Sequence, residues 1–252
     1  MTGEGTPLEF EQFRHETVVQ VAKLMAASAV TAPKSGGQLF TRGAPLFIEA
    51  VIVDNKATLA KLAEWIRARG RERREAIWFR DAQVAERVDA VLFIGLKDWY
   101  PPVYDCGACG YATCAEFLDA TKALRAQQGF EFAGPQCNLR DIDLGIAVGS
   151  AAKTASIHNI DCRTQTRIAV AARKLGIIKA DVAVALSLSL THKNVGFDNV
   201  MPAIDFDTEE MARLPATDTL PVAAEHGERT GGRHAQQPVS PPRRRPRATD
   251  GK

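Results

Sequence analysis

The stretch AVLFIGLKDWYPPVYDCGACGYATC, residues 90–114, decides the fold. Its first seven residues, Ala90–Leu96, form an unbroken apolar run of strand length, the pattern of a buried strand. Tyr100, Pro101, Pro102 and Tyr104 then stiffen the chain and are expected to shield the adjoining cysteine-rich segment from water. Next come Cys106, Cys109 and Cys114, spaced C-x2-C-x4-C, and Cys137 lies beyond 22 intervening residues. A cubane iron–sulfur cluster needs four thiolates at the corners of a tetrahedron, and one tight loop plus one distant residue can supply them. Gly107 and Gly110 lack a Cβ, so the backbone N–H groups of this loop can turn toward sulfur. A helix is expected to start near Thr113, its positive end toward an anionic centre. Phe117, Ala120, Thr121 and Leu124 share one face of it, and Gly129 is a candidate stop.

Two other chemistries compete for these cysteines. Structural zinc usually pairs two C-x2-C knuckles, and only one is present. A thioredoxin-like dithiol needs C-x2-C alone and leaves Cys114 without a role. The fifth cysteine, Cys162, stands isolated between two helical patterns; it reads as an inert thiol, with a substitute for Cys137 as the alternative. Three cysteines within nine residues point to metal or redox chemistry in a thiol-reducing compartment.

Working outward, apolar residues at Val18, Val21, Ala22, Met25 and Ala29 repeat at helical intervals over 16–30, and Ala32-Pro33 ends that pattern. Phe47–Val53 and Val182–Leu190 read as further strands, and Leu59, Leu62, Ala63 and Ile66 as a helix. RARGRERR (67–74) reads as a solvated basic stretch, followed by a helix around Arg80–Arg87. From Asp141 the chain turns helical again, with small residues at Gly145, Ala147, Gly149 and Ala151, and a last helix spans Thr164–Leu175. Trp65, Trp78 and Trp99 are irregularly spaced and read as core or interface. These elements imply a single α/β (α+β) domain over 8–210, its cysteine-rich segment at 98–140 inserted after a central strand. Residues 213–252 lose periodicity, and the Pro/Arg-rich segment PPRRRPR cannot bury enough apolar surface to offset its ordering entropy, so a disordered tail is expected.

The net charge of +2 hides an uneven distribution. Residues 224–252 hold six Arg and one Lys against Glu225, Glu228 and Asp250, which leaves the body slightly acidic. No nucleic-acid face is implied. No apolar run of about 18 residues occurs, so no membrane span is expected. The polar N-terminus lacks a targeting pattern, and a cytoplasmic protein is expected.

CGACGYATCAEF resembles the iron–sulfur domain of the corrinoid iron–sulfur protein and the Rnf-type ferredoxin subunit. That resemblance implies a [4Fe-4S] cluster on Cys106, Cys109, Cys114 and Cys137. The last gap is longer than usual for those proteins, which keeps Cys162 open as the fourth ligand. More of the chain, about residues 16–200, is similar to a family of ferredoxin domain-containing proteins. The matching stretches include VAKLMAASAVTAPKSGG, GPQC through DLGIAVGSAAKTAS, VAARKLGI and ADVAVALSLSLTHKNVGFD. A further likeness, to flavin-dependent nitroreductases, rests on Thr31–Gln38, then Phe47–Val53, then Lys174-Leu175-Gly176-Ile177. It implies a nitroreductase-like sheet flanked by helices, FMN as a candidate cofactor and a homodimer. The Arg-x-Ser-x-Arg phosphate pattern of that family is absent, and Gly37 or Gln38 stands where an amide would meet the flavin ring. Lys34–Gly37 is a weak candidate phosphate cradle; a connecting loop is the simpler account.

Three functions are compatible with these residues. The first is a [4Fe-4S] protein passing single electrons to an unidentified redox partner. The second is an oxidoreductase whose cluster feeds a flavin or a pocket between the strands and the Gly145–Ala155 helix. The third is a zinc-stabilised binding module. His158, His192, Lys153 and Lys193 read as surface or packing residues rather than catalytic groups.

Overall fold

The computed structural model describes residues 8–37, 43, 45–126, 131–192 and 194–197. They all fall in one compact unit, Met1–Pro215, while the second unit, Ala216–Lys252, lies outside them. The expected tail, its boundary near 213, Gln38, Gly129 and Lys193 also lie outside the described residues.

The fold is α+β, with six helices and four strands among the described residues. Helix α1 (Phe10–Thr31) leads to β1 (Ile48–Val53), α2 (Lys56–Arg73), α3 (Ala76–Arg87) and β2 (Ala90–Leu96). The cysteine loop, α4 (Cys114–Arg125) and α5 (Asn138–Ile157) come next, then β3 (Asp161–Gln165), α6 (Thr166–Lys174) and β4 (Val182–Ser189). The strands run antiparallel in the order β1-β2-β4-β3, so β2 is central, as its apolar run requires. All seven of its residues are buried. Val91 and Phe93 pack toward α2, α3 and α6; Leu92, Ile94 and Leu96 pack toward α1 and α5. Two helical layers therefore sandwich the sheet. A Cβ on Gly95 would sit 2.4 Å from the Ala180 Cβ and 2.7 Å from the Val182 carbonyl oxygen, so only glycine lets the chain after α6 lie against β2.

The structure differs from the sequence pattern in several places; the last helix, for one, starts at Thr166 rather than Thr164, because Thr164 and Gln165 belong to β3. The 67–74 segment is largely solvated, as expected, but it is helical: α2 runs through Arg73, and Arg67 meets Glu86 bidentately while Arg69 and Arg73 meet Glu131. Cys162 does stand between two helices, α5 and α6, but on a strand the pattern did not reveal, because β3 is a short polar edge strand (Asp-Cys-Arg-Thr-Gln) without apolar alternation. Helix α5 starts at Asn138, not Asp141, which makes Cys137 its N-cap residue. Helix α1 is longer than 16–30, opened by a capping box between Glu9 and Gln12.

Candidate metal centre

The loop that leaves β2 is anchored at its start. The Trp99 indole donates to Asp181 (3.0 Å), whose own backbone N–H donates to the Leu96 carbonyl (2.7 Å). Pro101 and Pro102 are buried. Asp98, Val103, Asp105, Gly107 and Gly110 all adopt positive φ, so the loop is a run of tight reversals. The Gly110 N–H donates to the Gly107 carbonyl (2.9 Å), closing a turn around Cys109. Asp105 accepts the Cys114 N–H (2.7 Å), folding the loop back onto the first residue of α4. Thr113 and Glu116 cap α4 reciprocally, so the helix starts where the sequence placed it. Asn138, the first residue of α5, donates from its side chain to the Ala108 carbonyl (2.8 Å) and ties loop to helix.

The result is one pocket bordered by Cys106, Cys109, Cys114 and Cys137, with Tyr111 and Phe117 as aromatic wall. Cys106 is exposed, Cys109 and Cys114 are half-buried, and Cys137 is 6% exposed. Cys114 opens α4 and Cys137 caps α5, so two helices begin at this pocket. Their dipoles favour negative charge there. Among the described residues, no group of three or more His, Cys, Asp or Glu side chains converges closely enough to hold a single metal ion.

Cys162 does not border this pocket. It pairs with Leu188 in the sheet and lines a different, shallow surface with Ser156 and Asn159. Burial pushes its thiol up to about 11, so it is a neutral S–H at physiological pH.

A buried ion pair without a distinctive sequence motif pins the surroundings. Arg140 and Asp143 both have fully buried side chains and meet at 2.7 Å. Arg140 also donates to the Tyr100 carbonyl (2.6 Å) and the Ser35 carbonyl (2.9 Å), and its guanidinium lies 4.1 Å from the centre of the Phe47 ring. Asp143 accepts the Ser35 N–H (2.8 Å), and Tyr104 Oη accepts the Gly36 N–H (2.9 Å). The 33–37 loop, the cysteine loop and α5 thus share one charged clamp. Its only trace in the sequence is an Arg-x-x-Asp pair that begins three residues after Cys137.

The Lys34–Gly37 phosphate cradle is not supported, because Lys34 is already engaged. Its ammonium donates to the carbonyls of Ala29, Val30 and Ala32 at 2.6–2.9 Å, finishing α1. Desolvation lowers its pKa, against the opposing charge of Asp143.

A second pocket, of about 420 Å³, opens between α5 (Asp141, Gly145, Val148), the end of β3 and the start of α6. His192 borders a third pocket with Phe10 and Arg14, and His158 ends α5. Trp78 and Trp99 are buried core residues, as expected. No helix among the described residues is long and apolar enough to cross a membrane.

Comparison with known proteins gives a family described as an uncharacterized protein containing a ferredoxin domain (DUF2148), matching residues 133–199. An uncharacterized protein of Archaeoglobus fulgidus is 38% identical over 194 residues, spanning 76% of this chain and 96% of the relative. Among solved structures, nitroreductase A from Vibrio parahaemolyticus aligns with a TM-score of 0.39 at 10% identity, over 75% of this chain and 61% of that one. The NADPH:FMN oxidoreductase from Vibrio harveyi, complexed with NAD+, aligns at 0.38 and 13%, over 75% and 63%. The chain therefore spans less than two thirds of either oxidoreductase. At these scores neither their activity nor their flavin carries over to it.

Proposed function

For a chain that belongs to the family of proteins containing a ferredoxin domain, we propose one [4Fe-4S] cluster, bound by Cys106, Cys109, Cys114 and Cys137, and a role in single-electron transfer. The observation that carries this reading is the shared pocket: three cysteines from one loop and the cap of a distant helix border the same space. When bound, a cubane of this type exchanges one electron at a time. The polypeptide supplies the rest. Two helix N-termini offset negative charge at the thiolates, and buried prolines with Tyr111 and Phe117 exclude water from the inner side. Cys106, Val103 and Tyr104 remain exposed on the outer side, which is the edge offered to a redox partner protein.

Zinc is the less suitable occupant. A single zinc requires four sulfurs about 2.3 Å from one point. This chain has a single C-x2-C knuckle, whereas structural zinc usually pairs two. The enzyme alternative is favoured by one feature, the pocket along α5. Gly145 follows Cys137 by eight residues, about 12 Å along the helix axis at 1.5 Å per residue. Thiolate ligation suits a reducing cytoplasm.

Anaerobic purification tests the proposal directly. The expected protein is brown, absorbs broadly near about 400 nm and carries four iron and four sulfide per chain. A colourless protein with one zinc sinks the electron-transfer reading, and FMN released on heating selects the flavoenzyme.

A further inference from the structure

Two guanidinium groups, Arg163 and Arg167, line the pocket beside α5 with Arg80 close to them, and their terminal nitrogens are only partly used. Asp81, 1% exposed, is the buried carboxylate among them. It accepts from Arg167 Nε (2.7 Å) and from the Gln165 amide (3.0 Å), and lies 3.9 Å from Arg80 Nε. Among the described residues the terminal nitrogens of Arg167 have no hydrogen bond, and Arg80 Nε is buried without a hydrogen-bond partner. Arg163 donates from one terminal nitrogen to the Gly196 carbonyl and stacks over Phe197. Burial pulls the Arg80 guanidinium below the ordinary arginine range; Asp81 opposes this, and the charges of Arg163 and Arg167 add to it. Helix α6 starts at the same wall, and its N-cap, Gln165, gives it no side-chain cap because that amide is spent on Asp81 and Ser187.

Arg163 and Arg167 therefore offer terminal N–H donors that a bound anion can share. The remaining walls differ in kind. Leu144, Val148 and Val184 are apolar, and Asp141 faces the pocket from the first turn of α5, keeping an anion to the arginine side. A volume of about 420 Å³ suits a small molecule rather than a bare ion. We infer that this pocket binds a small molecule made of an oxyanion, held by Arg163, Arg167 and the start of α6, joined to an apolar body lying along Leu144 and Val148 of α5. The inference stands whether or not the cysteines carry a cluster.

The structure also supplies a clean way to block the site. Gly145 lines the pocket, and a Cβ built on it meets nothing within 4 Å. Gly145→Leu therefore adds an apolar side chain at the pocket wall from an open position, and glycine is a poor interior helix residue, so thermal stability is expected to hold or rise. Arg163→Gln removes one anion donor and leaves the Asp81–Arg167 pair intact. Phenyl phosphate is the probe, titrated calorimetrically into the full chain, with phenol and inorganic phosphate as comparators. Saturable one-to-one binding of phenyl phosphate is expected, at least tenfold tighter than either comparator. Both variants should weaken it at least tenfold, with Tm unchanged or higher in Gly145→Leu. Equal binding of phenyl phosphate and phenol overturns the oxyanion assignment, and equal binding of inorganic phosphate overturns the apolar one. Wild-type affinity in both variants shows that the pocket is not the site.

Discussion

Replacing Arg140 with methionine tests whether the clamp beside the cysteine pocket holds that region together. The change keeps the apolar stem but deletes the contacts to Asp143, Ser35 and Tyr100 and the stacking on Phe47. Asp143, fully buried, keeps only the Ser35 N–H among these partners. Breaking a buried ion pair from one side costs about 3–5 kcal/mol, because the surviving charge stays out of water. With a urea m-value of about 3 kcal/mol/M for a domain of this size, the unfolding midpoint should fall by roughly 1–1.7 M. The loss should be local in origin: amide exchange should accelerate first at 33–37 and 97–104, the two loops the guanidinium ties to α5. Adding Asp143→Leu removes the stranded carboxylate and should recover at least half of the deficit, a coupling that a double-mutant cycle reads out directly. A loss below about 1 kcal/mol for Arg140→Met, or no recovery in the double variant, would refute the reasoning, since the pair would then not organise the loops.

Cys109→Ser should abolish iron binding, measured as iron per chain after anaerobic purification; full iron content would remove Cys109 from the ligand set. Cys162→Ser should leave iron content unchanged, and loss of iron there would make Cys162 the fourth ligand in place of Cys137. The raised Cys162 thiol has a stability consequence of definite sign. Its neutral form is the one the fold accepts, so that contribution is complete below the ordinary thiol value of 9.0 and is lost as pH climbs toward about 11. Wild type should therefore lose more urea stability than Cys162→Ser across that interval, and identical slopes would contradict the assignment. Gly95→Ala should destabilise the domain by about 1–3 kcal/mol or more, since the new methyl meets both the Ala180 Cβ and the backbone oxygen of Val182; an unchanged unfolding midpoint would count against the close approach.

Local pattern determined a good share of this protein. Ala90–Leu96 is apolar at every position because both faces of the sheet are covered. Thr113 and Glu116 fixed the start of α4 through a cap whose partners lie three residues apart. The C-x2-C-x4-C spacing by itself confines three cysteines to nine residues. The fourth is different. Cys137 reaches the pocket only because α5 packs on the sheet in a direction that points its N-cap at the loop, and that direction is set by contacts remote in sequence. The same holds for β3, whose polar residues become a strand by pairing with the edge of β4, and for Arg67 and Arg69, which look solvated until Glu86 and Glu131 arrive from other elements. Arg140 and Asp143 are two ordinary helix charges until burial makes their pairing compulsory. Periodicity and capping are energies between near neighbours in the chain, so they are written in the sequence. Burial is decided by which surfaces meet, and that exists only in the folded molecule.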